Sequence, residues 1–208
     1  MISAIVLAAG ESRRFGSPKP LALIQGRPAL TFLVEKLLLS KIDEVIVVLG
    51  AHAGQIQPLV PHNERIRCVV NERYASGQTS SFKKGLSLVN EKSRGALLFA
   101  ADTPFVLPET IHLIVQTFLE NSRSVVIPVY KDRAGHPPVF AKTLFPEFAG
   151  LADDEPLFTI QRRHEADTLK LPVSDEGIVL SFNTPQELDE IRKKQSVIGG
   201  RKPKIFNR

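Results

Sequence analysis

Among 208 residues the chain has one cysteine, one methionine and no tryptophan. A lone Cys68 excludes an intramolecular disulfide framework and any zinc site built on several thiolates. His52, His62, His112 and His164 have no metal-ligand spacing, and no HExxH occurs. No run approaches the roughly 18 apolar residues of a membrane helix. The longest, VIVVLGA and GALLFAAD, have strand length, so no membrane association is expected. No basic segment precedes ISAIVLAAG; a secretory signal is not expected, and the cytoplasm is the expected compartment. Acidic residues are missing from Ser196 to Arg208, where Arg201, Lys202, Lys204 and Arg208 carry most of the formal +5 charge. The rest is close to neutral, and no nucleic-acid partner is expected. The GxxxxGK[ST] phosphate loop is also absent, and Gly10 and Gly16 are too far apart for GxGxxG.

What remains is the composition of a soluble globular protein, 43% hydrophobic and 24% charged. A chain of this length buries roughly 70% of the surface its unfolded form exposes, so it needs no staple. Short apolar runs alternate with helix-patterned segments. Strands are expected at Ile2–Ala8, Glu44–Leu49, Arg67–Val70, Ala96–Ala101 and Ser124–Val129. Helices are expected at Ala29–Ser40, Ala51–Val60, Thr79–Asn90 (capped by Thr79 or Ser80) and Pro108–Glu120. Further on, Pro137–Ala141, Thr168–Val173 and Ile178–Leu180 read as strands. Pro156–Arg163 and Pro185–Lys194 read as helices, the last capped by Asn183 or Thr184. Such alternation specifies a mainly parallel sheet with helices on both faces. Residues 1–195 are expected to form one domain, and 196–208 a flexible basic tail. Cys68 is expected in the core. Phe99, Phe105, Phe118 and Phe140 are expected to pack. Lys83 and Lys84 are expected on a solvated helix face from which they could reach phosphates.

In open sheets of this kind ligands bind beyond the C-terminal strand ends. The first such loop reads LAAGESRRFGSPKPL. Ala8, Ala9 and Gly10 are small enough for a ligand to approach the backbone N–H groups. Ser12 offers a hydroxyl, and Arg13, Arg14 and Lys19 place three cations within seven residues. Pro18 and Pro20 restrict the chain around Lys19. These are the parts of a phosphate site. Asp102, at the end of the apolar strand ALLFAA, is placed either to hold a divalent cation against phosphates or to cap the turn before Pro104. Asn183 serves either as a neutral oxygen ligand or as a helix cap ahead of Pro185.

Leu7, Ala8, Ala9, Gly10, Ser12, Arg14, Gly16 and Lys19 match L-A-[AG]-G-x-S-x-R-x-G-x-x-K. By this pattern the chain resembles the MobA-like NTP-transferase family. Gly77, Ser81 and Gly85 fit its G-x-x-x-S-x-x-x-G segment, and Asp102–Pro104 its D-x-P metal motif. Gly135-His136-Pro137 fits its G-x-P turn, and Asn183-Thr184-Pro185 its [DN]-T-P motif. The resemblance spans about residues 2–190. It implies a three-layer α/β/α Rossmann-like nucleotidyltransferase fold with a mainly parallel mixed sheet.

The resemblance also implies a reaction: transfer of a nucleoside monophosphate from an NTP to the phosphate of molybdopterin, with Mg²⁺ as cofactor and release of pyrophosphate. Arg14, Lys19 and Asp102 would be catalytic. Leu7, Ala8, Ala9, Gly10, Ser12, Gly16, Gly77 and Ser81 would bind nucleotide, and Asp102 and Asn183 metal. Gly135, His136, Pro137 and Asp153 would bind the acceptor. LAAG is similar to the cytidylyl branch, where the Ala9 methyl would occupy purine space, so CTP is the expected donor. The chain lacks the D-x-D-T-P of that branch, having Ser181 and Asn183 at the acidic positions. It also lacks the glycines of L-x-G-D-x-G around Asp153. GTP, a sugar phosphate acceptor, or a non-catalytic role delivering cofactor to a molybdenum hydroxylase are the alternatives.

Overall fold

The computed structural model describes residues 1–199, with side chains through Lys194. The first strand, β1 (Ser3–Ala8), is wholly buried. Its Ala4, Val6 and Ala8 point into one hydrophobic cluster and Ile5 and Leu7 into another. This period-2 alternation with both sides apolar is what a central parallel strand requires. A small hairpin, β2 (Leu23–Ile24) and β3 (Arg27–Pro28), leads into α1 (Ala29–Leu38). There Leu30, Leu33, Val34 and Leu37 form the buried stripe. Strand β4 (Glu44–Leu49) pairs parallel to β1, and β5 (Ile66–Val70) parallel to β4. Between them the expected Ala51–Val60 helix is two pieces, α2 (Ala53–Ile56) and a 3-10 turn at Gln57–Leu59. Pro58 removes the donor that would continue α2.

Helix α3 (Gln78–Leu86) is followed by β6 (Gly95–Ala100), which pairs parallel to β1 on its other side. After α4 (Pro108–Glu120) come β7 (Val125–Tyr130), β8 (Arg133–Ala134) and β9 (Val139–Ala141). Strand β9 runs antiparallel to both β6 and β7 and joins the two halves of the sheet. Helices α5 (Phe145–Gly150) and α6 (Phe158–Arg163) precede β10 (Thr168–Pro172), which lies parallel to β7. The strand order is β10-β7-β9-β6-β1-β4-β5, with β8 attached to β7. Side chains of α1 and α4 fill one face of the sheet, and those of α3, α5 and α6 the other. This is the expected α/β/α arrangement with a mainly parallel mixed sheet.

Helix α7 (Pro185–Gly199) closes the hairpin side, where Leu188 and Ile191 meet Ile24, Phe32, Phe105 and Phe182. Its backbone runs beyond the expected end at Lys194 and into the stretch expected to be a tail. Residues 200–208 of that expected tail lie outside the described residues. Thr184 Oγ1 accepts the Glu187 N–H at 3.2 Å, and Glu187 accepts the Asn183 N–H at 2.6 Å, so Thr184 provides the side-chain cap.

Three further expectations are corrected. Ile178–Leu180 is not a strand, because Glu176–Val179 winds into a 3-10 turn capped by Asp175. Helix α3 is capped neither by Thr79 nor by Ser80: Gly77 takes that position at φ +129°, a backbone region that favours glycine. Cys68 is exposed, on β5, which among the described residues is an edge strand without a fully buried position. The four phenylalanines Phe99, Phe105, Phe118 and Phe140 are buried, as expected. No helix among the described residues is long and apolar enough to cross a membrane.

Candidate active site

The C-terminal ends of β1 and β6 lie side by side, and a cavity of about 370 Å³ opens above them. Leu7, Ala8, Ala9 and Gly10 form its floor, continued by Ala100, Ala101 and Asp102. Ser12, Arg13, Arg14, Lys19 and Pro20 line one end, and Tyr74, Gly77, Gln78 and Ser81 the other. Of the sequence-derived nucleotide and catalytic residues, only Gly16 is outside this lining. It shapes the preceding loop at φ +78°.

Lys19 is the hub of the charged end. Its backbone N–H donates to Ser12 Oγ at 2.9 Å, which fixes where its side chain leaves the loop. Its Nζ donates to Asp102 Oδ2 at 2.6 Å and to Asn183 Oδ1 at 3.1 Å. Arg14 donates to the same Asn183 oxygen at 3.0 Å. The Lys19 and Asp102 side chains keep 17% and 22% of their surface, enough for a ligand to reach both. Residues 169 apart in sequence thus share one small polar corner, because the segment ahead of α7 brings Asn183 back to the strand ends. Phe182 N–H donates to the Asp102 carbonyl at 3.3 Å and joins that return to the loop after β6. Arg13 points outward and pairs with Glu11, whose carboxyl it holds below the usual range.

Asp102 and Asn183 are hard oxygen donors that already converge on a single cation, the Lys19 ammonium. That donor set fits a divalent ion completed by phosphate and water oxygens. No cluster of three or more His, Cys, Asp or Glu side chains among the described residues could hold a metal without such help.

The residues expected to bind an acceptor divide. Gly135 donates its N–H to Pro128 O at 2.9 Å, and His136 to Ile178 O at 2.8 Å, holding the Gly135-His136-Pro137 turn against the 3-10 segment. Burial pushes the His136 imidazole below its ordinary pKa, against the pull of the Leu98 carbonyl and the Asp102 charge. Its Nδ1 is buried with no protein partner among the described residues. Asp153 is elsewhere. It bridges Arg73 and, at 3.0 Å, Lys83, in a separate depression beside α3. The Lys83 hydrogen bond, with Arg73 beside it, holds the Asp153 carboxyl below the usual range. Lys83 therefore anchors the 151–155 segment and does not stand on a free helix face; its Nζ also donates to Leu151 O at 2.8 Å.

Sequence reasoning missed Asn71, Tyr74 and Lys36. Asn71 Nδ2 donates to Ser80 and Ser81 at 2.9 and 3.0 Å and braces the far end of the cavity. Lys36 reaches from α1 to the carbonyls of Pro104 and Val106 at 2.9 and 3.1 Å, fixing the loop that carries Asp102. Its half-buried lysine stem within an otherwise apolar helical stripe gives no sign of this in sequence.

The sheet is thus an open α/β one with a cavity at the switch between β1 and β6, where such sheets bind ligands, and with cations and a carboxylate at one end. The model of the MobA-like NTP transferase domain matches residues 4–168, and the chain belongs to that family. A Thermococcus kodakarensis protein named probable molybdenum cofactor guanylyltransferase is 33% identical over 124 residues, 59% of this chain and 57% of that relative. The chain thus spans little more than half the length of that relative. A Natranaerobius thermophilus protein of the same name is 25% identical over 92% of this chain and 95% of its own. Among solved structures, Rv0371c from Mycobacterium tuberculosis H37Rv is similar with TM-score 0.80 and 27% identity, over 92% of this chain and 97% of that one. A further structure of it is described as a complex with manganese, with TM-score 0.77 and 25% identity, over 92% and 98% of the two chains.

Proposed function

We propose that the protein transfers a nucleoside monophosphate, CMP, from an NTP to the phosphate of a molybdopterin-type acceptor and releases pyrophosphate. The observation that carries this is the Arg14–Lys19–Asp102–Asn183 corner, set beside the open backbone of Ala8, Ala9 and Gly10. An acceptor phosphate is already ionised near neutral pH, so the reaction needs no strong base. It needs in-line positioning and charge neutralisation.

Lys19 and Arg14 bind the triphosphate and stabilise the charge that grows on the leaving pyrophosphate. The floor N–H groups donate to phosphate oxygens at the end of β1. Asp102 and Asn183 would hold Mg²⁺, which when bound neutralises phosphate oxygens around the reacting phosphorus. The similar manganese-bound protein supports a divalent cation in this fold. The Gly135-His136-Pro137 turn, within electrostatic reach of Asp102, receives the acceptor, and its product serves a molybdenum hydroxylase. Asp153 supports this reading only indirectly, as the anchor of a segment that packs on Gly77.

The base assignment rests on the Ala9 methyl at the cavity floor. The names of the relatives favour a second reading, in which GTP is the donor. The test is pyrophosphate release with Mg²⁺, molybdenum cofactor, and CTP or GTP in parallel, with Asp102→Ala as control. CTP-dependent release that disappears in the variant is the expected result. Release with GTP alone replaces the base, and release with neither overturns the transfer reading.

A further inference from the structure

The cavity has two chemically different ends. One carries Arg13, Arg14 and Lys19; the other carries Tyr74, Gly77 and Gln78. They lie on opposite sides of the loop after β1: Lys19 pairs with Asp102, which follows β6, whereas Tyr74 packs on Gly50, which follows β4. Among the described residues Tyr74 is the one aromatic side chain in the lining.

Tyr74 is also an aromatic residue outside the hydrophobic core. It belongs to none of the three hydrophobic clusters and to none of the ring–ring contacts. Its hydroxyl has no protein partner among the described residues. Yet its position is tightly built. Asn71 N–H pairs with Leu49 O at 2.8 Å, and the Asn71 side chain accepts the Arg73 N–H at 3.1 Å. The Tyr74 N–H then reaches Asn71 O at 3.3 Å. The base of the ring lies directly on Gly50: a Cβ there would come within 2.6 Å of Tyr74 Cβ and 2.5 Å of the Ala9 carbonyl. A half-buried ring is thus held beside the cavity floor with nothing stacked on it.

We infer that Tyr74 is the nucleobase-stacking residue of this site, the aromatic counterpart of the Lys19 end. This rests on the nucleotidyltransferase reading above. Stacking is tolerant of base identity because every base has a π-face, so Tyr74 supplies affinity for the nucleoside, and the choice of base falls to its neighbours on the floor.

The chain has no tryptophan, so Tyr74→Trp creates a single fluorescent reporter at the point in question. The experiment titrates wild type, Tyr74→Phe, Tyr74→Ala and Tyr74→Trp with CTP, GTP and inorganic tripolyphosphate, by calorimetry and, for the last variant, by emission. Tyr74→Phe is expected to match wild type. Tyr74→Ala is expected to lose about 5- to 150-fold in nucleotide affinity while its affinity for tripolyphosphate stays unchanged. Nucleotide, but not tripolyphosphate, is expected to quench Tyr74→Trp. Wild type that binds nucleotide while Tyr74→Ala binds it equally well overturns the stacking role and leaves the transfer reading standing. So does Tyr74→Trp emission that is insensitive to nucleotide whose binding calorimetry confirms. Wild type that binds tripolyphosphate but gains nothing from the nucleoside also overturns it. Wild type that binds neither overturns both.

Discussion

The two edges of the sheet carry similar residues and use them differently. At the N-terminal edge Glu44 accepts from Ser3 Oγ at 2.5 Å, from the Asn90 N–H at 2.7 Å and from Arg67. Ser93 lies 2.8 Å from Ser3 and closes the group onto Gly95 O. At the C-terminal edge Lys19, Asp102, Asn183 and Arg14 form a second such network. In the first, Ser3, Glu44 and Ser93 are buried. The second borders about 370 Å³ of open volume. A carboxylate with basic and amide partners is therefore not informative by itself; the space beside it is. Buried and satisfied, such a group specifies structure, and bordering a cavity it is available to a ligand.

Breaking each edge separately sharpens the contrast. The largest effect is expected from Lys19→Ala, which should slow nucleotidyl transfer about 10²- to 10³-fold while the denaturation midpoint barely moves. Glu44→Ala should do the reverse. It leaves Ser3, the Asn90 N–H and Arg67 without their acceptor and should cost about 2–3 kcal/mol in urea unfolding, with turnover per folded molecule unchanged. Burial pushes the Glu44 carboxyl up, but its hydrogen bonds to Ser3, Asn90 and Arg67 outweigh this and hold it below 4.5. Its stabilisation is therefore fully present above the unfolded-state value and is lost as pH falls through the lower folded-state one. Glu44→Gln should flatten that acid limb of a stability–pH curve.

Gly50→Ala should act between the two edges. Its new methyl meets the Ala9 carbonyl and the Tyr74 ring base, so about 1–3 kcal/mol of stability and part of the nucleotide affinity should go together, read by thermal melts with and without NTP. The smallest effect belongs to Lys36. Burial pushes its ammonium down to about 8, reinforced by Arg27 and opposed by Asp175 and Glu109. Between that value and 10.5 the unfolded chain binds the extra proton, so stability from this group rises with pH across the window. Wild type should therefore gain on Lys36→Met in melts between pH 8 and 10, and a constant difference would remove Lys36 as the titrating group.

Much of this was legible in sequence where local chemistry is self-contained. The loop from Leu7 to Lys19 announced its small residues, hydroxyl and cations together, and the cavity gathers all of these but Gly16. Strands β1, β4 and β6 announced themselves because both of their faces are buried, which leaves an uninterrupted apolar run. Legibility failed where a partner decides the outcome. The pattern of Ile178–Leu180 suits a strand, but Asp175 caps the segment and winds it into a 3-10 turn, and Ile178 O takes the His136 N–H from there. Cys68 has the neighbours of a core residue and yet is exposed on β5, an edge strand among the described residues. Asp153 sits in a segment that resembles an acceptor motif, but Arg73 and Lys83, more than 65 residues away in sequence, draw its carboxylate to the other side of α3.

The sequence alone determined the α/β rhythm, the loop of small residues and cations after β1 and the carboxylate at the end of β6, since each is written in residues adjacent along the chain. Only the tertiary structure decided that Asn183 completes the Lys19–Asp102 corner, that Lys36 holds the loop behind it, and that Tyr74 lines the cavity. These are meetings between distant elements. Strand order and helix return set them, and no local pattern of side chains encodes a distance across a sheet.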